Sequence, residues 1–288
     1  MIGQTANLAP ADKKIYALRD VTGTVNSIPL ICASIMSKKL ASGADTILLD
    51  VKYGSGAFMP TPELALELAE KMVAIGTLAG KNIGALITDM QQPLSDHVGN
   101  SLEIVGIVDV LRGKKNRLYY EIREVALRLL ALTGKYTLKT AEKAFQDAID
   151  SGKALDKFAE MVEAQHGDAS YVLHPEKFEI GCKDVVLADK SGYVSGMIAA
   201  DIGRAVTHLG GGRMQKSDVI DMSVGVIMKV AIGSKIKTGE PICEVYHNGK
   251  GLDEAKRLIS AAVTISKTKP AEHKIAYAYV SKHGVEMY

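Results

Sequence analysis

Apolar and polar positions along the chain change their period twice, which divides it into three regions. Residues 11 to 41 read as two helical segments. The second, Ser27-Ile-Pro-Leu-Ile-Cys-Ala-Ser-Ile-Met-Ser-Lys-Lys-Leu-Ala41, opens on a serine able to cap it, holds Pro29 in its first turn and is followed by Gly43. Beyond residue 42 strand and helix alternate. Asp45-Thr-Ile-Leu-Leu-Asp-Val51 is a short apolar run suited to a buried strand. Thr61-Pro-Glu starts a helix with Leu64, Leu68, Met72 and Ile75 on one face, and Ile83-Gly-Ala-Leu-Ile-Thr88 returns as a strand. A strand, helix and strand of these lengths predict a parallel unit. Two more helices are predicted around 117–132 and 137–150, with Gly113, Gly134 and Gly152 as punctuation. From about 179 the texture turns to short strands and frequent turns. Asp189 to Gly196 and Gly233 to Val245 read as hairpins, 252–263 as a helix and 274–281 as a last strand. The expected fold is therefore α/β: a parallel or mixed sheet flanked by helices over 42–178, helical segments over 1–41, and a small α+β region over 179–288.

Composition narrows the partners. The 288 residues are 47% hydrophobic and 24% charged, enough for a sizeable core and more than one domain. The 35 basic and 33 acidic residues are interspersed, and only 5% of residues are aromatic, so neither a basic stripe nor a stacking platform for nucleic acid is expected. No run approaches a membrane span and the start lacks a signal-peptide pattern, so a cytoplasmic location without a membrane partner is expected. Cys32, Cys182 and Cys243 are odd in number and set among apolar residues, and read as reduced core thiols.

Candidate chemistry gathers near the start. Ser34 and Lys38 are four apart in a helix, so both leave the same face one turn apart. Arg19, in Tyr16-Ala-Leu-Arg19-Asp20, lies within reach of them. A solvated surface cation would give the same spacing, but Ser34 sits among Leu30, Ile31, Cys32, Ala33, Ile35 and Met36, where a hydroxyl needs a partner. Gly54-Ser-Gly56 follows a strand, where ligands gather in open α/β sheets, although close packing of that loop explains it equally well. Leu209-Gly-Gly-Gly-Arg213 reads as a tight turn, the seven histidines as structural or exposed, and Asp50 and Asp89 as strand-end carboxylates.

These blocks, in order, resemble the pyrimidine nucleoside phosphorylases. The resemblance runs from Gly3-Gln-Thr and Tyr16-Ala-Leu-Arg-Asp20 through Ser27-Ile-Pro-Leu-Ile, Ser34, Lys38-Lys-Leu, Asp50-Val-Lys and Gly54-Ser-Gly-Ala-Phe-Met59. It continues with Asp89-Met-Gln-Gln-Pro-Leu94, Gly99-Asn, Leu209-Gly-Gly-Gly-Arg213 and Lys237-Thr-Gly-Glu-Pro241. It implies phosphate-dependent cleavage of the N-glycosidic bond of thymidine, uridine or deoxyuridine, in a homodimer. Residue by residue it assigns the pyrimidine to Arg19, Ser34 and Lys38 with Tyr16 flanking, and makes 1–41 part of a nucleobase-binding helical domain. A phosphate loop of the Lys-His-Ser-Thr-Gly-Gly kind and its histidine have no counterpart among the 288 residues, so no catalytic or phosphate-binding residue is placed. The expectation is a C-terminal two-thirds of a family member, inactive alone; a non-catalytic nucleobase-binding remnant or one chain of a split or proteolysed enzyme is the alternative. Some members also hold potassium through loop carbonyls and a glutamate; Leu94 and His97 match the carbonyl positions, but Gly106 stands where the glutamate would be. The C-terminal turns also echo acyl-carrier domains, whose modifiable lysine has its only echo in Lys229.

Overall fold

The computed structural model describes residues 9–24 and 27–288; the Gly3-Gln-Thr block lies outside the described residues. Helices α1 (Pro10–Thr22) and α2 (Ile28–Ala41) precede strand β1 (Thr46–Tyr53), helix α3 (Pro62–Leu78) and strand β2 (Asn82–Asp89). The short strand β3 (His97–Gly99) leads into α4 (Asn100–Leu111), followed by α5 (Arg117–Leu132), α6 (Leu138–Asp150), α7 (Lys153–Ala164) and the single turn α8 (Ser170–Leu173). The remainder is β4 (Cys182–Leu187), β5 (Gly192–Met197), α9 (Ala199–Val206), β6 (Gly225–Met228), β7 (Lys235–Ile236) and β8 (Pro241–His247). Helix α10 (Leu252–Ala262) and strands β9 (Val263–Ser266), β10 (Ala276–Ser281) and β11 (Gly284–Met287) complete the order.

The predicted parallel unit is present. β1 pairs in parallel with β2, Thr46 against Asn82 through Tyr53 against Asp89. Thr61 caps the crossover helix α3, its hydroxyl accepting from Leu64 N. Leu68, Ala69, Met72 and Val73 of that helix pack on Ile47, Leu49, Ile83, Ala85 and Ile87 of the strands. Ile31, Cys32 and Met36 of α2 share this core, with Ile28, Ile35 and Leu40 partly buried at its margin. The apolar face of α2 is thus occupied by α3 and the sheet, whereas Ile15 and Leu18 of α1 are exposed.

The C-terminal third differs from its reading. The strand near 274–281 joins the first sheet, whose order is β1-β2-β10-β11. β10 runs antiparallel to β2. Its buried positions, Ala276, Ala278 and Val280, are small enough to let it lie against this strand. The two expected hairpins are not hairpins: β4 pairs with β8, while β5 pairs with β7 and β9. The turn residues were read correctly as turns, but each turn carries the chain from one sheet to another. Sheets β3-β6-β8-β4 and β7-β5-β9 contribute Val194, Met197, Val226, Ile242 and Val245 to one core with Ile202 of α9 and Ile259 of α10. Cys182, on the edge strand β4, is exposed, which corrects its expected burial.

The two halves are joined by the loop after β1. Ser55 Oγ lies 3.0 Å from Gln91 O and 3.1 Å from Met197 O, and accepts from Ala199 N at 3.0 Å. Gly54 makes this approach possible. Its φ is +119°, and a Cβ there would fall 2.7 Å from Gln91 N and 2.8 Å from Met90 C, backbone that cannot yield. Gly54→Ala is therefore expected to destabilise the fold by about 1–3 kcal/mol. An unchanged urea midpoint would contradict this. At the far edge Arg128 stacks on the rings of Tyr279 and Tyr288, 4.7 and 5.1 Å from their centroids, and grips Glu286 at 2.6 and 2.8 Å. Arg128→Ala should speed amide exchange across β11 while leaving β1 and β2 protected.

Candidate functional site

Helices α1 and α2 enclose a cleft of about 180 Å³ lined by Tyr16, Arg19, Ser34 and Lys38, with Ile31, Ile35 and Phe58 as its apolar wall. All four residues singled out for a pyrimidine therefore border one space. Tyr16 and Arg19 lie three apart on α1, and Ser34 and Lys38 four apart on α2, so each pair occupies one helical face. Arg19 is only 3% exposed and sits over the Tyr16 ring, 5.1 Å from its centroid. Its Nε donates to Thr24 O (3.4 Å) and its Nη1 to Leu30 O (3.3 Å), which hold the guanidinium against the loop and the start of α2.

Lys38 Nζ donates to Ser34 Oγ at 3.1 Å and to Asp12 Oδ2 at 2.7 Å. Asp12 was not anticipated, although it precedes Tyr16 by four and Arg19 by seven and so shares their face of α1. Burial pushes the Asp12 carboxyl upward, but hydrogen bonds from Lys38 and Ser34 and the charges of Lys38 and Arg19 outweigh it and hold the group below the usual carboxylate range. The cleft thus offers two cations, a hydroxyl and an aromatic ring to a flat polar ligand.

A larger cavity of about 730 Å³ adjoins it, sharing Ile31, Ile35 and Phe58 and lined further by Asp50, Lys52, Ser55, Gly56 and Met90. It lies at the carboxyl end of β1. Beneath it Lys52 Nζ meets Asp50 Oδ2 at 2.7 Å and Thr88 Oγ1 at 3.0 Å, and pairs with the buried Glu121. Burial depresses the Lys52 ammonium, offset in part by Asp50. Asp89 is fully buried and bonded to Arg117 Nη2 at 2.8 Å. Asp50 and Asp89 are thus tied into ion pairs, and the Ser55 hydroxyl into backbone. Of the Leu209-Gly-Gly-Gly-Arg213 run, Leu209 to Gly211 end a widened helical turn (Thr207–Gly211) that is broken at Gly210 (φ 104°), Gly212 is extended, and Gly211 O accepts from Asn100 Nδ2.

The residues matched to a potassium site do not fit one. Gly106 brings no carboxylate, and a Cβ on it would lie 3.0 Å from Cγ and Nδ1 of His97, whose ring fills that space. Among the described residues no group of three or more His, Cys, Asp and Glu side chains could hold a metal ion, and no helix is long and apolar enough to cross a membrane.

Residues 1–155 match the family model described as glycosyl transferase family, a/b domain, and residues 193–266 that of the pyrimidine nucleoside phosphorylase C-terminal domain. A pyrimidine-nucleoside phosphorylase of one Staphylococcus aureus strain is 44% identical over 289 residues, covering 98% of this chain and 65% of that protein. One from a second strain is 43% identical over 293 residues, covering 99% and 66%. The chain spans 65–66% of the length of these relatives. With a family model matching more than half of its residues and a second matching its C-terminal part, the chain belongs to the pyrimidine nucleoside phosphorylase family.

Proposed function

We propose that the protein is a pentosyltransferase that cleaves pyrimidine nucleosides with phosphate, releasing free base and (deoxy)ribose 1-phosphate, and that the α1–α2 cleft holds the base. The observation carrying this reading is the convergence of Tyr16, Arg19, Ser34 and Lys38 on one cleft. The names of the relatives agree with it. As the glycosidic bond breaks, the base leaves with negative charge spread over its ring and carbonyl oxygens. Two cations placed beforehand at those oxygens stabilise the departing anion more than the neutral nucleoside, and that difference lowers the barrier. Lys38 has three N–H donors, two of them engaged by Asp12 and Ser34, which leaves one for a base carbonyl. Asp12 holds the ammonium in place. Phosphate is assigned to no residue of this chain. The unpaired state of Cys32, Cys182 and Cys243 supports a cytoplasmic setting.

Binding of the free base tests the cleft without requiring turnover. Uracil or thymine should bind weakly, with a dissociation constant on the order of millimolar, and Lys38→Ala should weaken it about tenfold or more by removing one charge-assisted hydrogen bond. Calorimetry giving equal affinities for the two proteins would sink the assignment. The Asp12 carboxyl is held low, so its tie to Lys38 is fully present above the usual carboxylate range and is lost as pH falls through the lowered value. Base affinity should accordingly hold steady from neutral pH down through that range and fall only below it. In Asp12→Asn the affinity should be lower throughout and lack this acid limb.

A further inference from the structure

The start of α4 meets the β3-β6-β8-β4 sheet at a crowded junction where a buried histidine is used by none of the chemistry above. His97 is 6% exposed, and its neighbour Asp96 accepts from Met228 N at 2.7 Å through its backbone carbonyl, fixing β3 to β6. The Asp96 carboxylate is already satisfied. Its Oδ1 accepts from His97 Nδ1 and Asn116 Nδ2, both at 3.0 Å, and from Ser95 Oγ at 3.3 Å, while Lys114 Nζ lies 3.5 Å from Oδ2. The nearby Glu103 carboxylate is engaged as well, accepting from Gly99 N at 3.1 Å. Lys114 also pairs with Asp109 at 3.0 Å.

The site implied by the resemblance needs a glutamate carboxylate beside the Leu94 and His97 carbonyls, and a space the size of the ion. This junction supplies neither the free carboxylate nor the space. The anionic oxygens face protein donors, and the space above Gly106 is filled by the imidazole ring, 3.0 Å from where a Cβ would stand. We infer that side-chain packing stands in place of a monovalent-cation site among the described residues: His97, paired with Asp96 and seated over Gly106, together with Lys114 and Asn116 just beyond α4, braces β3 against α4, and this part of the fold has no specific requirement for potassium. His97 and Gly106 are coupled in this arrangement, since a Cβ at 106 would stand 3.0 Å from the ring, which must shift to admit it.

Two measurements on the purified chain decide it. Thermal unfolding in potassium, sodium and tetramethylammonium chloride at equal ionic strength should give the same midpoint in all three salts. A saturable stabilisation by potassium alone would overturn the inference. The second is a double-mutant cycle with His97→Ala and Gly106→Ala. Gly106→Ala should lower the midpoint by several degrees when His97 is present and by much less in the His97→Ala background. Additive effects would show that the ring does not occupy the space over Gly106, and would equally overturn it. Both readouts are independent of base binding and turnover, so the proposed function can fail while this inference stands, and the reverse.

Discussion

The approach of the Gly54-Ser55 loop to two separate stretches of backbone is the constraint on which the rest of the molecule depends. One hydroxyl, on Ser55, reaches Gln91 after β2 and the Met197–Ala199 link between β5 and α9. Residues more than a hundred positions apart are thereby held at hydrogen-bonding distance, which tolerates no Cβ at position 54. The same loop walls the larger cavity, so the contact joining the two halves also sets the shape of the cleft beside α2.

Charge under that loop is arranged to be held rather than to react. Lys52, Asp50, Thr88 and Glu121 form one network, and Arg117 closes on Asp89 beside it. Buried ion pairs contribute little net stability, because desolvation offsets most of the attraction. Removing a single partner, however, leaves an uncompensated charge in the interior. Their value here is positional: they keep the carboxyl ends of β1 and β2 in register while polar groups line the cavity above.

What was legible in the sequence was what local chemistry determines. The i, i+4 spacing of Ser34 and Lys38 on a proline-started helix placed both on the cleft, although the Ser27 side chain makes no capping bond, and the apolar runs around 45–51 and 83–88 gave the parallel pair. Asp12 was missed because its contact with Lys38 joins two helices, and only the packing of α1 on α2 brings them together. The hairpins failed for a related reason. Turn residues at 189–192 and 237–240 specify a change of direction but not a partner, and burial of both sheets on one core selects β8 for β4 and β9 for β5. β10 joined β2 from the opposite end of the chain, a pairing that no local pattern encodes. The Gly106 substitution was visible in the sequence, but that His97 fills the vacated space follows only from the geometry.

The cleft's two cations are not equivalent, and the difference bears on the proposed chemistry. Arg19 is buried and bonded to two backbone carbonyls, so its position is set by the fold before any ligand arrives. Lys38 is partly exposed, with a 30% accessible side chain, and moves on a flexible stem restrained by Asp12. A neutral nucleoside entering this space gains little from such cations, whereas a base departing as an anion is stabilised by them. Without Asp12 the Lys38 ammonium would lose the contact that aims it into the cleft. Pairing Lys38 with a carboxylate therefore gives up some attraction for the departing anion in exchange for a fixed ammonium position.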